Sequence, residues 1–262
     1  MNIKKYFKVW QITTLSATQI AFASRFGALI FIVGKLLRFA FFLFFLVIIA
    51  SRTKVVADYS LWQVIFFYAT FNFIDTTAQF FLREVYRFRA YVVSGNFDYF
   101  LTRPISPLFR SLFGGSDILD TVMLALSVIF IAVSAAKIGN INLTGIFIYA
   151  VLVANALIIA LAIHILVLCI GVLTTEIDNS IMLYRDLTQM GRVPIDIYRE
   201  PVTFLITFVI PVGIMMTYPA KALMNMLAAQ SIIIAFVIGG LFLAGSLKLW
   251  RLSLKNYTSV ST

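Results

Sequence analysis

Residues 143–173 read LTGIFIYAVLVANALIIALAIHILVLCIGVL, a run with no Asp, Glu, Lys or Arg. At about 1.5 Å per residue a helix through it is about 45 Å long, which exceeds the roughly 30 Å of hydrocarbon in a bilayer. Moving outward in both directions, further windows of mainly apolar residues lie at Phe26–Ala50, Leu61–Leu82, Ile118–Ala136, Pro201–Tyr218 and Ser231–Trp250. The chain as a whole is 61% hydrophobic and 12% charged, with a mean hydropathy of +0.98. A soluble domain carries about a quarter charged residues, so the apolar surplus calls for lipid. The expectation is an all-α membrane protein with no water-soluble catalytic domain: a six-transmembrane-helix bundle forming one transmembrane domain over residues 1–262. The fifth window is the shortest and carries Pro211, which predicts either a kink or a re-entrant segment there.

Ahead of the first window, Ile3 to Gln19 has amphipathic character. At 100° per residue Ile3, Tyr6, Phe7 and Trp10 share one face, with Lys4, Lys8 and Gln11 opposite. Residues 1–25 are therefore expected to form an interfacial helix lying in the headgroup plane, with no removable signal peptide. Ile12 and Leu15 break the pattern, and a frayed polar tail is the alternative.

Net charge is +10, which in a soluble chain would suggest nucleic acid. Here the basic residues sit between apolar runs, so they report topology and not a nucleic-acid partner. Lys4, Lys5, Lys8 and Arg25 precede the first window; Arg83, Arg87, Arg89, Arg103 and Arg110 follow the second; Lys248, Arg251 and Lys255 follow the last. These belong in the cytoplasm, along with both termini, whereas the opposite connections hold only Arg52, Lys54, Asp58, Lys137 and Lys221. The segment Glu176 to Glu200 also falls inside by this count. It is nearly charge-balanced and carries Met182, Leu183, Leu187 and Met190, so a cytoplasmic or interfacial helix docked on the bundle is expected. Residues 83–117 then form a cytoplasmic region between the spans of 26–82 and those of 118–250, and 251–262 a cytoplasmic tail.

That cytoplasmic region contains Ser94-Gly95-Asn96-Phe97-Asp98-Tyr99-Phe100-Leu101-Thr102-Arg103-Pro104-Ile105-Ser106-Pro107. Gly95 and Asn96 favour a turn, Asp98 suits a helix start, and Pro104 with Pro107 forbids a helix through that point. The result is a compact, basic, aromatic-rich elbow, too apolar to be an idle linker.

This elbow resembles the Gly-x-Leu-Asp-x-x-Leu-x-Arg-Pro-x-Ser loop that follows the second span in short six-span permeases of the type-2 ABC exporter family, the multidrug- and viologen-exporter-like subgroup. Phe97 stands where Leu is commoner. Arg192-Val193-Pro194-Ile195-Asp196-Ile197-Tyr198, Phe208-Val209-Ile210-Pro211 and Tyr218-Pro219-Ala220 extend the resemblance in the same order. It implies a bacterial plasma-membrane permease that pairs with a second permease chain, itself or a paralogue, and with two ABC ATPase subunits. ATP and Mg would reside on those subunits, with no cofactor in this chain. Hydrophobic or amphipathic substrates would be exported by alternating access. Gly95, Phe97, Asp98, Leu101, Arg103 and Pro104 would form the ATPase-coupling element.

Consistent with an external energy source, no Gly-x-x-x-x-Gly-Lys-Ser/Thr loop occurs, and Gly114-Gly115 and Gly239-Gly240 lack the following Lys. A single Cys (Cys169) and a single His (His164) exclude a disulfide framework or a multi-residue Cys/His metal site within this chain. Ionisable groups at membrane depth cost several kcal/mol unless paired or wet. The first window holds Lys35 and Arg38; the second carries Asn72, Asp75, Thr76 and Gln79 on one helical face. The helical rise puts Asp75 about 10 Å and Lys35 about 13 Å from the cytoplasmic ends of their spans. Asp75 is thus expected to pair with Lys35 or Arg38; the alternative has both cations reaching the interface and Asp75 facing a water-filled cavity. His164 and Asn155 could serve a proton relay, but an interhelical hydrogen bond is the simpler reading for His164. Gly239, Gly240, Ala244 and Gly245 permit close helix approach in the last span. Two competing readings stand beside the exporter: an ion-coupled carrier using Asp75 and His164, and a non-transporting membrane anchor or immunity protein.

Overall fold

The computed structural model describes residues 3–53, 58–139, 141–174 and 177–258, without the side chains of 51–53. Lys54 and Glu176, used above for topology, lie outside the described residues, as does the end of the tail. The leading helix α1 (Ile3–Ala23) is followed by α2 (Arg25–Thr53) and α3 (Leu61–Leu82). A 3₁₀ turn (Arg83–Arg87) and three short helices, α4 (Phe88–Val93), α5 (Phe97–Thr102) and α6 (Pro107–Leu112), build the elbow region. Next come α7 (Thr121–Ile138), α8 (Leu143–Thr174) and α9 (Ile177–Gln189). After two further 3₁₀ turns, α10 (Val202–Phe204) runs into a π-helix (Leu205–Val209). A second π-helix (Gly213–Thr217) leads to α11 (Tyr218–Leu223), and α12 (Ala229–Lys255) closes the bundle. The chain is an all-α membrane bundle.

Local chemistry explains where the long helices start and stop. Ser60 caps α3 reciprocally: its hydroxyl accepts from the Gln63 amide at 3.4 Å, while Gln63 Oε1 accepts from the Ser60 amide at 2.8 Å. Asn142 Oδ1 accepts from the Gly145 amide at 2.6 Å at the start of α8. Gly139, at φ +66°, ends α7 in the left-handed region that glycine occupies most readily. Among the described residues, four helices are long and apolar enough to cross a membrane: Arg25–Ala50, Ile118–Ile138, Leu143–Thr174 and Ala229–Lys255. Helix α3 has the length as well, and its polar stripe is tolerated because neighbouring helices cover it. Val64 to Phe71 are all buried, chiefly against α7 and α8. By contrast α2 is peripheral and turns Phe26, Ile30, Phe41 and Phe44 outward.

The fifth window departs from a straight span. Its two arms, Val202–Val209 and Gly213–Leu223, meet at a break with an 80° bend, where Pro211 has no amide proton to give to a helical hydrogen bond. The second arm is buried through Ile214, Met215 and Met216, whereas Phe204 and Val209 on the first stay exposed.

The stretch expected to sit wholly inside runs along the bundle instead. Asp178 meets Arg89 of the elbow region at 3.1 Å, and Gln189 Oε1 accepts from Arg38 at 2.9 Å. Arg192 lies over the rings of Phe42 and Phe71. Asp196 then accepts from Tyr59 at 2.8 Å and from Lys221 at 2.7 Å. Tyr59 and Lys221 lie beside the end of the bundle where α3 begins, opposite the elbow. Residues 177–198 therefore span the distance from one end to the other. Counting charges alone puts them inside, because a nearly balanced segment gives no sign that Arg185 and Arg192 line a cavity beside α3.

Small residues in α12 are used unevenly. Asn155 of α8 donates to the Ala235 carbonyl at 2.9 Å, and a Cβ on Gly239 would lie 2.2 Å from Asn155 Oδ1. Gly240 and Gly245 have open space around them. Gly239→Ala is expected to cost about 1–3 kcal/mol through overpacking against Asn155. Gly240→Ala should be neutral, or stabilising by up to about 1 kcal/mol from helix propensity. Thermal unfolding of the two variants in detergent checks the contrast.

Candidate functional site

The elbow is built as a rigid base with an exposed tip. Gly95 at φ +72° makes the turn between α4 and α5, a conformation that costs other residues about 1–2 kcal/mol. Helix α5 begins at Phe97, one residue before the expected start, and Asp98 sits in its first turn, where a carboxylate favours the helix dipole. Arg103 is extended ahead of Pro104 (ψ 150°), which ends α5. Pro107 then occupies the first turn of α6, capped by Ser106, whose hydroxyl accepts from the Phe109 amide.

Phe97 is fully buried and meets four rings: Phe88 at 5.0 Å, Tyr257 at 5.2 Å, Phe100 at 6.0 Å and Trp250 at 6.4 Å. Beside it Tyr257 donates to Asp98 Oδ1 at 3.0 Å. Phe97 and Asp98 thus bolt the elbow to the end of α12. Tyr99, Leu101, Arg103 and Pro104 remain exposed at the tip.

A second anchor was not singled out from the sequence. Glu84, 1% exposed, accepts from Tyr91 at 2.7 Å, Arg110 at 3.2 Å and Arg87 at 3.5 Å. One carboxylate therefore ties the 3₁₀ turn after α3 to α4 and α6. Burial and the adjacent Glu84 push the Tyr91 phenol above its usual pKa. Gly114 leaves room for the cluster, since a Cβ there would fall 2.1 Å from the Glu84 carboxyl carbon. The sequence signal is an acid among five arginines, which a count of basic residues alone passes over.

Helix α1 lies against this base. Lys5 donates to the Pro104 carbonyl at 2.7 Å, the Ser106 amide to Tyr6 at 3.2 Å, and Trp10 to the Ser116 hydroxyl at 3.0 Å. Tyr6 and Trp10 face inward as their shared helical face suggested. Ile3 and Phe7 do not: they are 73% and 55% exposed. The inward face is instead continued by Thr13, Thr14 and Ala17, which pack against residues 115–116.

The intramembrane polar residues do not pair as expected. Lys35 forms its ion pair with Asp120, a fully buried residue at the start of α7. Arg38 bonds Gln189, and Asp75 accepts from Gln79 at 2.7 Å. Two helices spaced by residues of opposite charge offered Asp75 as the partner; the fold brings the end of a third helix closer. Asp75, Asn72, Gln79, Lys35 and Arg38 all line one cavity of about 420 Å³, together with Arg83, Arg185 and Arg192. His164 stands apart. Its Nδ1 is 2.7 Å from Ala160 O of its own helix, and its ring meets Tyr184 edge-on at 4.9 Å, so its hydrogen bond is intrahelical.

A bundle with an anchored elbow at one end and a polar cavity among its helices defines a multi-pass membrane protein of the permease type. The family model described as ABC-2 family transporter protein matches residues 36–261, and the chain belongs to that family. It is a non-catalytic membrane subunit of a transporter. No match is found among curated proteins or among solved structures.

A double-mutant cycle separates the two pairings. Lys35→Ala combined with Asp120→Ala should show a coupling of about 1–3 kcal/mol in unfolding free energy. Lys35→Ala with Asp75→Ala should add within about 0.5 kcal/mol.

Proposed function

We propose that the chain is the permease subunit of an ATP-driven exporter in a bacterial plasma membrane. Helices α2, α3, α7, α8 and α12 each cross once, and residues 177–198 supply the remaining crossing. The arms Val202–Val209 and Gly213–Leu223 form a re-entrant hairpin on the outer side, and the elbow and both termini face the cytoplasm. A second permease chain, a copy or a paralogue, completes the pathway. Two ABC ATPase subunits bind ATP and Mg and dock on the elbow. Hydrophobic or amphipathic cargo moves outward by alternating access.

The observation that carries this reading is the anchored lever. Residues 99–104 project from a base fixed twice, by Phe97 among four rings and by Glu84 among two arginines and a tyrosine. A displacement of the tip cannot be absorbed by a close-packed base of this kind. It is passed on to the end of α12 and to the turn after α3. An ion-coupled carrier would need Asp75 and His164 on one path, yet each bonds within its own helix.

Purification of the tagged chain from its native host in mild detergent tests the reading. An ATP-hydrolysing subunit should copurify. Leu101→Ala with Arg103→Glu should reduce recovery of the ATPase at least tenfold while leaving thermal stability within about 0.5 kcal/mol, because both side chains are exposed. Equal recovery with the double variant, or no copurifying nucleotide-binding protein, contradicts it.

A further inference from the structure

The cavity between α2, α3, α7 and α9 holds more positive charge than the chain itself neutralises. Lys35 is paired with Asp120 and Arg83 with Asp117. Arg38, Arg185 and Arg192 have no carboxylate within ion-pairing distance among the described residues, and Asp75 is the remaining acid on the cavity wall. Three guanidiniums thus face one carboxylate, a surplus of two.

Their position makes that surplus costly. Arg192 lies over Phe71, eleven residues from the elbow end of α3 and so about 17 Å along it. Arg38 is about 20 Å along α2 from Arg25. Both belong near the middle of a bilayer, where an unneutralised charge costs several kcal/mol. Arg38 and Arg185 are also exposed, so their guanidiniums are open to a visitor and not sealed by packing. Guanidinium forks match phosphate and carboxylate oxygens two at a time. Between these forks the wall is apolar, formed by Ile30, Phe31, Phe39, Phe71 and Met123.

We infer that this cavity binds the anionic headgroup of an amphiphile, a phosphate or carboxylate held by Arg38, Arg185 and Arg192 with its hydrocarbon chain against the aromatic wall. This rests on the exporter reading and names the class of cargo or lipid it would take. Asp75, bonded to Gln79, offsets part of that positive charge and so sets a limit on how much negative charge the occupant needs.

The test is equilibrium binding to the full chain in an uncharged maltoside detergent, with dodecyl phosphate, dodecyltrimethylammonium and inorganic phosphate as probes. Dodecyl phosphate should bind saturably. Its affinity should fall at least tenfold in Arg192→Gln, and also in Arg38→Gln and Arg185→Gln, whose side chains are exposed. Lys137→Gln, exposed at the far end of α7, should bind as the unchanged chain does. Comparable binding of dodecyltrimethylammonium, unchanged affinity in all three arginine variants, or inorganic phosphate binding as tightly as dodecyl phosphate overturns the inference. So does a carboxylate of a second permease chain found to fill the cavity and exclude the probe. Native mass spectrometry separates the two sources of the headgroup: a phospholipid retained by the purified chain and lost in Arg192→Gln indicates a resident lipid, and a site that fills only with added dodecyl phosphate indicates passing cargo. Failure of dodecyl phosphate to bind while an ATPase still copurifies would remove this site and leave the exporter standing.

Discussion

The cost of placing charge at membrane depth organises this molecule. Asn72, Asp75, Thr76 and Gln79 give α3 a polar stripe that could not face lipid. The fold answers by putting α3 in the centre, with α7 and α8 packed against it and α2 and the segment 177–198 bringing arginines to the stripe. The peripheral α2 and α12 are apolar and largely exposed, whereas α3, less suited to lipid, is enclosed together with the apolar α8. A cavity results from the same constraint, because five long cationic side chains and one carboxylate cannot be packed dry.

The opposite end of α3 leads into the second organising element. Its last turn continues into Glu84, whose carboxylate gathers groups from α4 and α6, and the same region rests on α12 through Phe97. Tip, base and bundle are therefore in continuous contact: Tyr99 to Pro104 outside, Phe97 and Glu84 at the base, and Trp250 and the end of α3 beyond. Helix α1 braces the arrangement through Lys5, Tyr6 and Trp10, so its role is set as much by the elbow as by any lipid surface. Under the proposed function, motion generated on a partner subunit would enter the bundle here.

Much of this was legible from the residues. Apolar runs bounded by charge gave the long helices, and Gly95, Pro104 and Pro107 shaped the elbow. What escaped was long-range partnering. Asp75 was matched to Lys35 from depth along each helix, but sequence spacing carries no information about Asp120, which arrives from a different part of the chain. Residues 177–198 were misplaced for a related reason: Arg185 and Arg192 read as charges of a cytoplasmic segment until the fold places them on the wall of a cavity beside α3. Ile3 and Phe7 illustrate the reverse, since periodicity identified an apolar face without saying how much of it the elbow would cover. The 80° break at Pro211 was half visible, as a proline marks where a helix breaks but not the direction in which the second arm leaves.

The most direct measurement is the sidedness of residues 177–198. Single cysteines at Asp178 and Ile197, introduced into a Cys169→Ser background and labelled with a membrane-impermeant maleimide, report which face each occupies. The account predicts that Ile197→Cys reacts from outside intact cells and that Asp178→Cys reacts only after the cytoplasmic face is opened. Labelling of both positions from the same side would contradict it.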